Sequence, residues 1–505
     1  MRKLGARWAA VALLWLAAPG PAGAAARAYP DHVTLVYTAD LFGTLEPCGC
    51  SQDQRGGLAR MAAALARIRA EGQPVFFVAG GDLLFEGRPA GDLAVQQELA
   101  ARTAARALAA MRLDAFAPGE RDLVLGPAFL RGLALPAGDR FTLRAGGRPL
   151  VALGPPGAVP AAPVRIGLVH EGGTRAAAAR AEEARREGLA LLLASHRGEV
   201  LEDDVNRAAL EGPVPVVQVQ GRGQSLARVD LYLRGDLARG FTALPDAAAR
   251  DEELELLELR TADYARRRAG ALASGAAELA RALDGKLAEL AARAREVRAR
   301  PVPEPPRDRP SLVVSFVALG ERLPQDPRVR AILDRHHAEV ARQNLARARA
   351  APRPCPAPAA GAAAYVGTDE APRGAVSSCK GCHPEAVAQW ETTRHARAWA
   401  TLVRVGREHD LACVGCHVTG WREPGGACDI AAVEGRRDVQ CEACHGPASL
   451  HALDPPGHLV RRPGEAVCRG CHTPEHSTRF ELRSYLQGVI GAGHGDGLRG
   501  RDGPP

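Results

Sequence analysis

Aromatic residues are scarce, at 4% of the chain, and no block of lysine and arginine is interleaved with them. The basic, stacking surfaces that hold nucleic acid are therefore missing, and the formal charge of +7 comes from arginines scattered through helical stretches. Nucleic acid is excluded as a partner. Long hydrophobic runs are missing too: beyond Ala26 no stretch approaches the roughly 20 apolar residues that a membrane-spanning helix needs. Methionine is rarer still, since its three copies are Met1, Met61 and Met111, so nothing beyond Met111 can offer a thioether to a metal. The rest is ordinary for a chain that buries cores. Over 505 residues, 46% are hydrophobic and 24% charged, which excludes a disordered protein. At about 150 residues per domain this length points to two to four domains.

The chain begins with a basic cluster, Arg2, Lys3 and Arg7, then an apolar run from Trp8 to Ala18, Pro19-Gly20-Pro21, and the small residues Ala22 to Ala26. That order is a secretory signal peptide, read here as residues 1–24. The mature protein is expected to be periplasmic or otherwise exported, with no membrane span after cleavage.

Of 12 cysteines, eight fall into four copies of one pattern, CxxCH: Cys379 to His383, Cys413 to His417, Cys441 to His445 and Cys468 to His472. Two thiols three positions apart can reach the vinyl groups of one porphyrin, and the adjacent imidazole then lies under the iron. Structural zinc also uses CxxC pairs, but nothing in a zinc ribbon requires a histidine directly after each second cysteine. Four covalently bound c-type haems are the expectation, attached through Cys379, Cys382, Cys413, Cys416, Cys441, Cys444, Cys468 and Cys471, with His383, His417, His445 and His472 as proximal ligands. With no methionine in the region, histidine must supply the second axial ligands, which puts the haems at the low-potential end of the c-type range. The spare histidines are His395, His409, His451, His458, His476 and His494. His395 follows the first motif beside Trp390, His451 follows a Gly-Pro turn after the third, and His476 follows the fourth at short range.

The segment from Tyr365 to Tyr485, about a quarter of the chain, carries CKGCHPEAVAQWETTRHARAWATL, CVGCHVTGW, VQCEACHGPASLH and CRGCHTPEHSTRF. These stretches resemble the tetrahaem cytochrome c554 family of electron carriers. The resemblance implies closely stacked haems, mostly with two histidine ligands, and carries His395 and His451 over as distal ligands. In some members one iron lacks a distal ligand. No histidine lies between His417 and His445, where that family often supplies one, so either a downstream histidine substitutes or one haem is open.

From His32 to Asp246 short β-like runs (Val33 to Thr38, Val75 to Ala79, Val164 to Val169, Leu189 to Ala194, Val216 to Val219) alternate with helical stretches (Leu58 to Ala70, Leu93 to Met111). An α/β layered domain over 31–246 follows. Polar residues at strand ends, Asp40, Asp82 and His196, stand where such sheets gather ligands. The order TADLFGTLEP, GGLAR, VAGGDLL, PGERD, LASH and VVQVQGRGQSLARVDL resembles the exported 5'-nucleotidase branch of the calcineurin-like metallophosphoesterases. It resembles that branch with its site eroded: Phe42 stands where the resemblance implies a ligand histidine, and Glu120 and Arg121 where it implies asparagine and histidine. Asp40, Asp82, Glu120 and His196 remain as a residual site for one divalent metal, and Cys48-Gly49-Cys50 follows the Asp40 loop. Those two cysteines either join that site or pair in a disulfide with Cys355 or Cys428.

Residues 247–300 read as a helical connector whose apolar seam, Ala276, Leu279, Leu283, Leu287, Leu290, Ala294 and Val297, suits a helical hairpin or a dimer through 276–297. Proline-rich linkers with one helix, 301–364, lead into the tetrahaem cytochrome domain, mostly α, at 365–505. His336-His337 on that helix is expected in solvent. The expected function is periplasmic electron transfer between redox partner proteins, with the N-terminal domain used for binding or docking. The alternatives are a multihaem oxidoreductase acting on a small nitrogen or sulfur compound at an open haem, and a metal-dependent phosphoesterase with an altered site.

Overall fold

The computed structural model describes residues 29–47, 54–170, 172–195, 206–219, 221–244, 246–273, 275–367, 379–473, 476–477, 480–491 and 494. Strands β1 (His32–Thr38), β2 (Val75–Ala79) and β3 (Ala115–Phe116) begin one sheet. A second sheet holds β4 (Phe141–Ala145), β5 (Arg148–Gly154), β6 (Val164–Val169), β7 (Leu191–Ala194), β8 (Arg207–Ala209) and β9 (Val216–Gln218). Strands β10 (Ser225–Tyr232), β11 (Thr242–Leu244) and β12 (Ser311–Ala318) return to the first. The orders are β11-β12-β10-β1-β2-β3 and β4-β5-β6-β7-β9-β8.

The two-residue side-chain period of a strand decides the layers. Val33, Leu35 and Tyr37 of β1 turn to one side and meet Leu153, Ile166 and Leu193 of the second sheet. Val36 turns to the other side, under α1 (Leu58–Arg69), α2 (Ala94–Ala110) and α8 (Pro327–Ala350). The second sheet is covered in turn by α4 (Gly173–Ala179) and α5 (Ala181–Arg186), after the short α3 (Pro127–Arg131). The result is a four-layer α/β domain. Each fully buried Leu, Val or Phe contributes about 1.5–3 kcal/mol, so these apolar faces fix the register of every strand.

The range read as linkers with one helix is corrected by β12, while α8 is the helix expected there. Ser311–Ala318 lies between β10 and β11, with Val314 opposite Val229, and Leu312 and Val314 are fully buried. The strand alternates inward apolar residues, a pattern masked by the prolines before it. The connector, α6 (Asp246–Ala273) with α7 (Ala277–Ala299), is thus an inserted hairpin between β11 and β12. Its seam packs within one chain: Leu283 and Val297 are buried, and Arg293 pairs with Glu253 at 2.6 Å. Ala276, Leu287, Leu290 and Ala294 of the seam are half-buried and Leu279 is exposed.

The C-terminal region is built of short helices: α9 (Cys379–Cys382), α10 (Pro384–Glu391), α11 (Ala398–Arg404), α12 (Leu411–His417), α13 (Cys441–His445), α14 (Ser449–Leu453), α15 (Glu465–Arg469) and α16 (Leu482–Leu486). Cys355 and Cys428 form a disulfide with Cα atoms 5.1 Å apart, which pins the proline-rich segment to this region. Neither is therefore the partner of Cys48 or Cys50, which lie outside the described residues. No helix among the described residues is long and apolar enough to cross a membrane.

Candidate functional site

The four CxxCH motifs start on helical turns, so the two thiols of each share a face and the histidine follows directly. In the first and fourth motifs the turn continues through the histidine, since the N–H groups of His383 and His472 donate to the carbonyls of Cys379 and Cys468 at 2.7 and 2.8 Å. All eight motif cysteines are unbridged. They lie close enough to interact across motifs: Cys379 hydrogen-bonds Cys441, and Cys471 hydrogen-bonds Cys416. Burial, with Cys468 and Cys441 nearby, pushes the Cys444 thiol up to about 11. Thioether formation would remove all of these titrations at once.

The imidazoles answer whether haem fits. His383 and His451 face each other with ring centres 6.3 Å apart and planes 19° from parallel, and His395 and His472 stand at 6.3 Å and 57°. A metal–imidazole bond of about 2.0–2.1 Å on each side, plus roughly 1.1 Å from nitrogen to ring centre, spans about 6.3 Å. Each pair is thus separated by the width of one iron and its two axial bonds. The tautomers fit as well. The Nδ1 atoms of His417, His445 and His451 lie 2.7, 3.1 and 2.8 Å from the carbonyls of Ala398, Arg461 and His458, which accept only from a protonated Nδ1 and so leave Nε2 bare for a metal. Burial holds His395, His445 and His472 below the ordinary imidazole pKa and hence neutral. His494, with a buried Nδ1, adds its charge to those that lower His445. His476 instead bonds Thr473 at 2.8 Å, and among the described residues no histidine ring faces it or His417. His336 and His337 are not in solvent: His336 is buried against Thr103, and His337 pairs with Glu46 at 2.9 Å.

The N-terminal site forms where β1, β2 and β6 end. Asp40, Phe42 and Asp82 all adopt left-handed backbone, with φ of 53°, 51° and 60°, a strain that clusters at functional positions. The buried Asp122 carboxylate holds the loops by accepting from the N–H groups of Asp82, Leu84 and Gly119 at 2.7, 2.8 and 2.9 Å. A Cβ at Gly119 would collide with His170 and Asp82.

One atom each of Asp82, Glu120 and His170 lie within 4.8 Å of one another. His170 Nε2 is 2.8 Å from Glu120 and 3.5 Å from Asp82, and its Nδ1 is 2.8 Å from Ser195 Oγ. Burial opposes a charge on His170, but hydrogen bonds and charge from Asp82 and Glu120 outweigh it and raise its pKa. Asp82 and Glu120 come together, Asp40 is fully buried but outside the group, and His196 lies outside the described residues. His170 was missed, although it ends β6 as Asp82 follows β2, the same strand-end signal. Phe42 carries Arg121 and Arg222 against its ring at 4.9 and 5.7 Å, and Arg121 approaches Asp82 at 3.5 Å. Beside the group opens a cavity of about 630 Å³ walled by Tyr37, Leu168, His170 and Ser195, with Arg131 and Arg180 also lining it.

The chain thus joins a four-layer α/β domain to a region of short helices that carries the four CxxCH motifs. Residues 378–446, which hold the first three motifs, match the family described as Cytochrome c554 and c-prime. Cytochrome c-554 of Nitrosomonas europaea is 32% identical over 93 residues, 15% of this chain, and the chain covers 40% of that relative's length. Among solved structures, a 5'-nucleotidase precursor from Thermus thermophilus is similar at 17% identity and a TM-score of 0.28, over 41% of this chain and 52% of that one. The calcineurin-like phosphoesterase YfkN from Bacillus subtilis is similar at 18% and 0.30, over 40% and 84%. The sulfate thiohydrolase SoxB of Thermus thermophilus, in complex with glycerol, is similar at 14% and 0.33, over 62% and 61%.

Proposed function

We propose that the protein is an exported tetrahaem c-type cytochrome that transfers electrons between periplasmic redox partner proteins, with its N-terminal domain used for binding and docking. The observation that carries this reading is the facing of His383 with His451 and of His395 with His472, each at 6.3 Å. Haem, held by the eight motif cysteines, supplies the one-electron chemistry. The chain's own residues keep His395, His445 and His472 neutral by burial, aim the Nε2 atoms of His417, His445 and His451, and hold the four motifs close. A pyridine haemochrome count on the protein matured with haem should give four haems per chain, and low-temperature EPR should show low-spin iron at the first and fourth motifs. Fewer than four haems would sink the tetrahaem reading.

A second reading is an oxidoreductase with one open haem, favoured by the lack of a facing histidine ring at His417 and at His445 among the described residues. A high-spin signal of one haem in four that responds to a small nitrogen or sulfur ligand would support it. Wholly low-spin iron would end it.

In the N-terminal domain, Asp82, Glu120 and His170 offer donors for one divalent cation, and Arg121 already stands at Asp82. Two-metal phosphoester hydrolysis needs a second ion a few Å away. Metal analysis is expected to find at most one divalent ion per chain besides iron, with no phosphodiester turnover. Two ions together with turnover would restore the hydrolase reading.

A further inference from the structure

The second CxxCH motif rests on the N-terminal domain. Its helix, α12, is only seven residues long, below the length at which a helix holds itself, and carries Cys413, Cys416 and His417. Asp410 caps it, accepting from the Ala412 N–H at 3.0 Å. Gln96 of α2 completes the cap from the other domain: its Nε2 donates to Asp410 Oδ1 at 2.8 Å, and its Oε1 accepts from the Leu411 N–H at 3.2 Å. Asn344 of α8, only 3% exposed, donates to Gln96 Oε1 at 3.1 Å and to the His409 carbonyl at 2.7 Å. Arg407 holds the far oxygen of Asp410 at 2.8 Å. The helices of the third and fourth motifs have no side-chain cap.

The arrangement reaches the motif itself. Ala348 of α8 packs on the small core of Trp399, Leu402, Val414 and Val418, which Cys413 also joins. His417, at the other end of α12, is tied through Nδ1 to the Ala398 carbonyl, so any tilt of the helix turns its ring against a fixed anchor. Around this contact, Asp92 pairs with Arg422 at 2.6 Å and with Arg353 at 3.0 Å, holding the domains in one register.

We propose that the N-terminal domain positions the second haem, with Gln96 as the positioning residue that caps, through Asp410 and the Leu411 N–H, the helix bearing Cys413, Cys416 and His417. This rests on the reading of that motif as a haem site. A helix cap contributes about 1 kcal/mol. Loss of one that sets the direction of an axial ligand shifts the potential of its iron, because ligand orientation and burial are the protein's means of tuning haem.

The test uses the full-length protein matured with haem, in wild type, Gln96→Ala, Gln96→Glu and, as a control on the same helix, Glu98→Ala, which removes only the exposed pair with Arg102. Haemochrome count, EPR and a potentiometric titration are recorded for each. Four haems are expected throughout, with one midpoint potential of the four displaced and one EPR species altered in Gln96→Ala. The change should be larger in Gln96→Glu, which sets a carboxylate against Asp410, and absent in Glu98→Ala. Adding Asp410→Asn to Gln96→Glu removes the clash of carboxylates but costs the Ala412 N–H its acceptor, because Asp410 Oδ1 serves both Gln96 and Ala412, so only part of the Gln96→Glu change should be reversed. Wild-type spectra and potentials in Gln96→Ala would overturn the proposal. A wild-type peptide spanning Cys413 to His417 with the mass of unmodified thiols would instead overturn the haem reading of this motif, and the proposal with it.

Discussion

Changing His451 to alanine should turn one haem of four high-spin while all four remain attached. Attachment depends on the thioethers of Cys379 and Cys382, which the change does not touch. The second axial position depends on the imidazole that stands 6.3 Å from His383. His395→Ala should do the same at the fourth motif, not the first that it follows in sequence, because its ring faces His472. The two changes should therefore alter different EPR species and add up in the double variant, as independent sites do. His476→Ala is the contrast: its ring is spent on Thr473, and no change in spin state is expected. If His451→Ala left the low-spin signal at wild-type intensity, the facing pair would not be a ligand pair. Loss of haem in place of a change of spin would mean that His451 acts in maturation.

Asp122→Ala should destabilise the N-terminal domain by about 3 kcal/mol or more at pH 5, since it orphans three buried N–H donors, each costing about 1–3 kcal/mol. The effect should depend on pH. Burial raises the Asp122 carboxyl to about 7 against an ordinary 3.8, with the hydrogen bonds from Gly119, Leu84 and Asp82 pulling the other way and the charge of Asp82 adding to the rise. A carboxyl whose folded pKa is raised contributes stability fully present below about 4 and lost as pH climbs through 7. That loss amounts to about 4 kcal/mol at roughly 1.4 kcal/mol per unit. Wild type gives up about 3 kcal/mol of this between pH 5 and pH 8, the two units from pH 5 to the folded pKa, and the alanine variant does not, so the cost of the substitution should shrink at pH 8. Chemical denaturation followed by circular dichroism at the two pH values measures it. An equal cost at both would show that Asp122 is ionised in the fold throughout.

How much could be read before the fold was known differs from residue to residue. β1, β2, β6, α1 and α2 were legible within a residue or two, because their apolar periods are local and strong. β12 was hidden behind a run of prolines and a hairpin of more than fifty residues, 246–299, that separates it from its neighbour β11. Strand pairing across such a gap leaves no local trace. The Cys355–Cys428 bridge was open for the same reason, since connectivity does not follow from spacing. His170 carried a readable signal at the end of β6, yet nothing local set it apart from the histidine that follows β7.

The sequence by itself determined the chemistry available to this protein: four CxxCH motifs, spare histidines and no methionine beside them, and Asp40 and Asp82 at the ends of short β-like runs. Those are statements about residue types and short spacings, which covalent geometry fixes without a fold. Only the tertiary structure decided which groups meet. It set His451 against His383, His395 against His472 and His170 against Glu120, and it seated the second haem motif on Gln96 of the other domain. Side chains tens or hundreds of residues apart are brought together by burial of the apolar faces that carry them. That burial depends on the whole chain at once and is written in no single stretch of it.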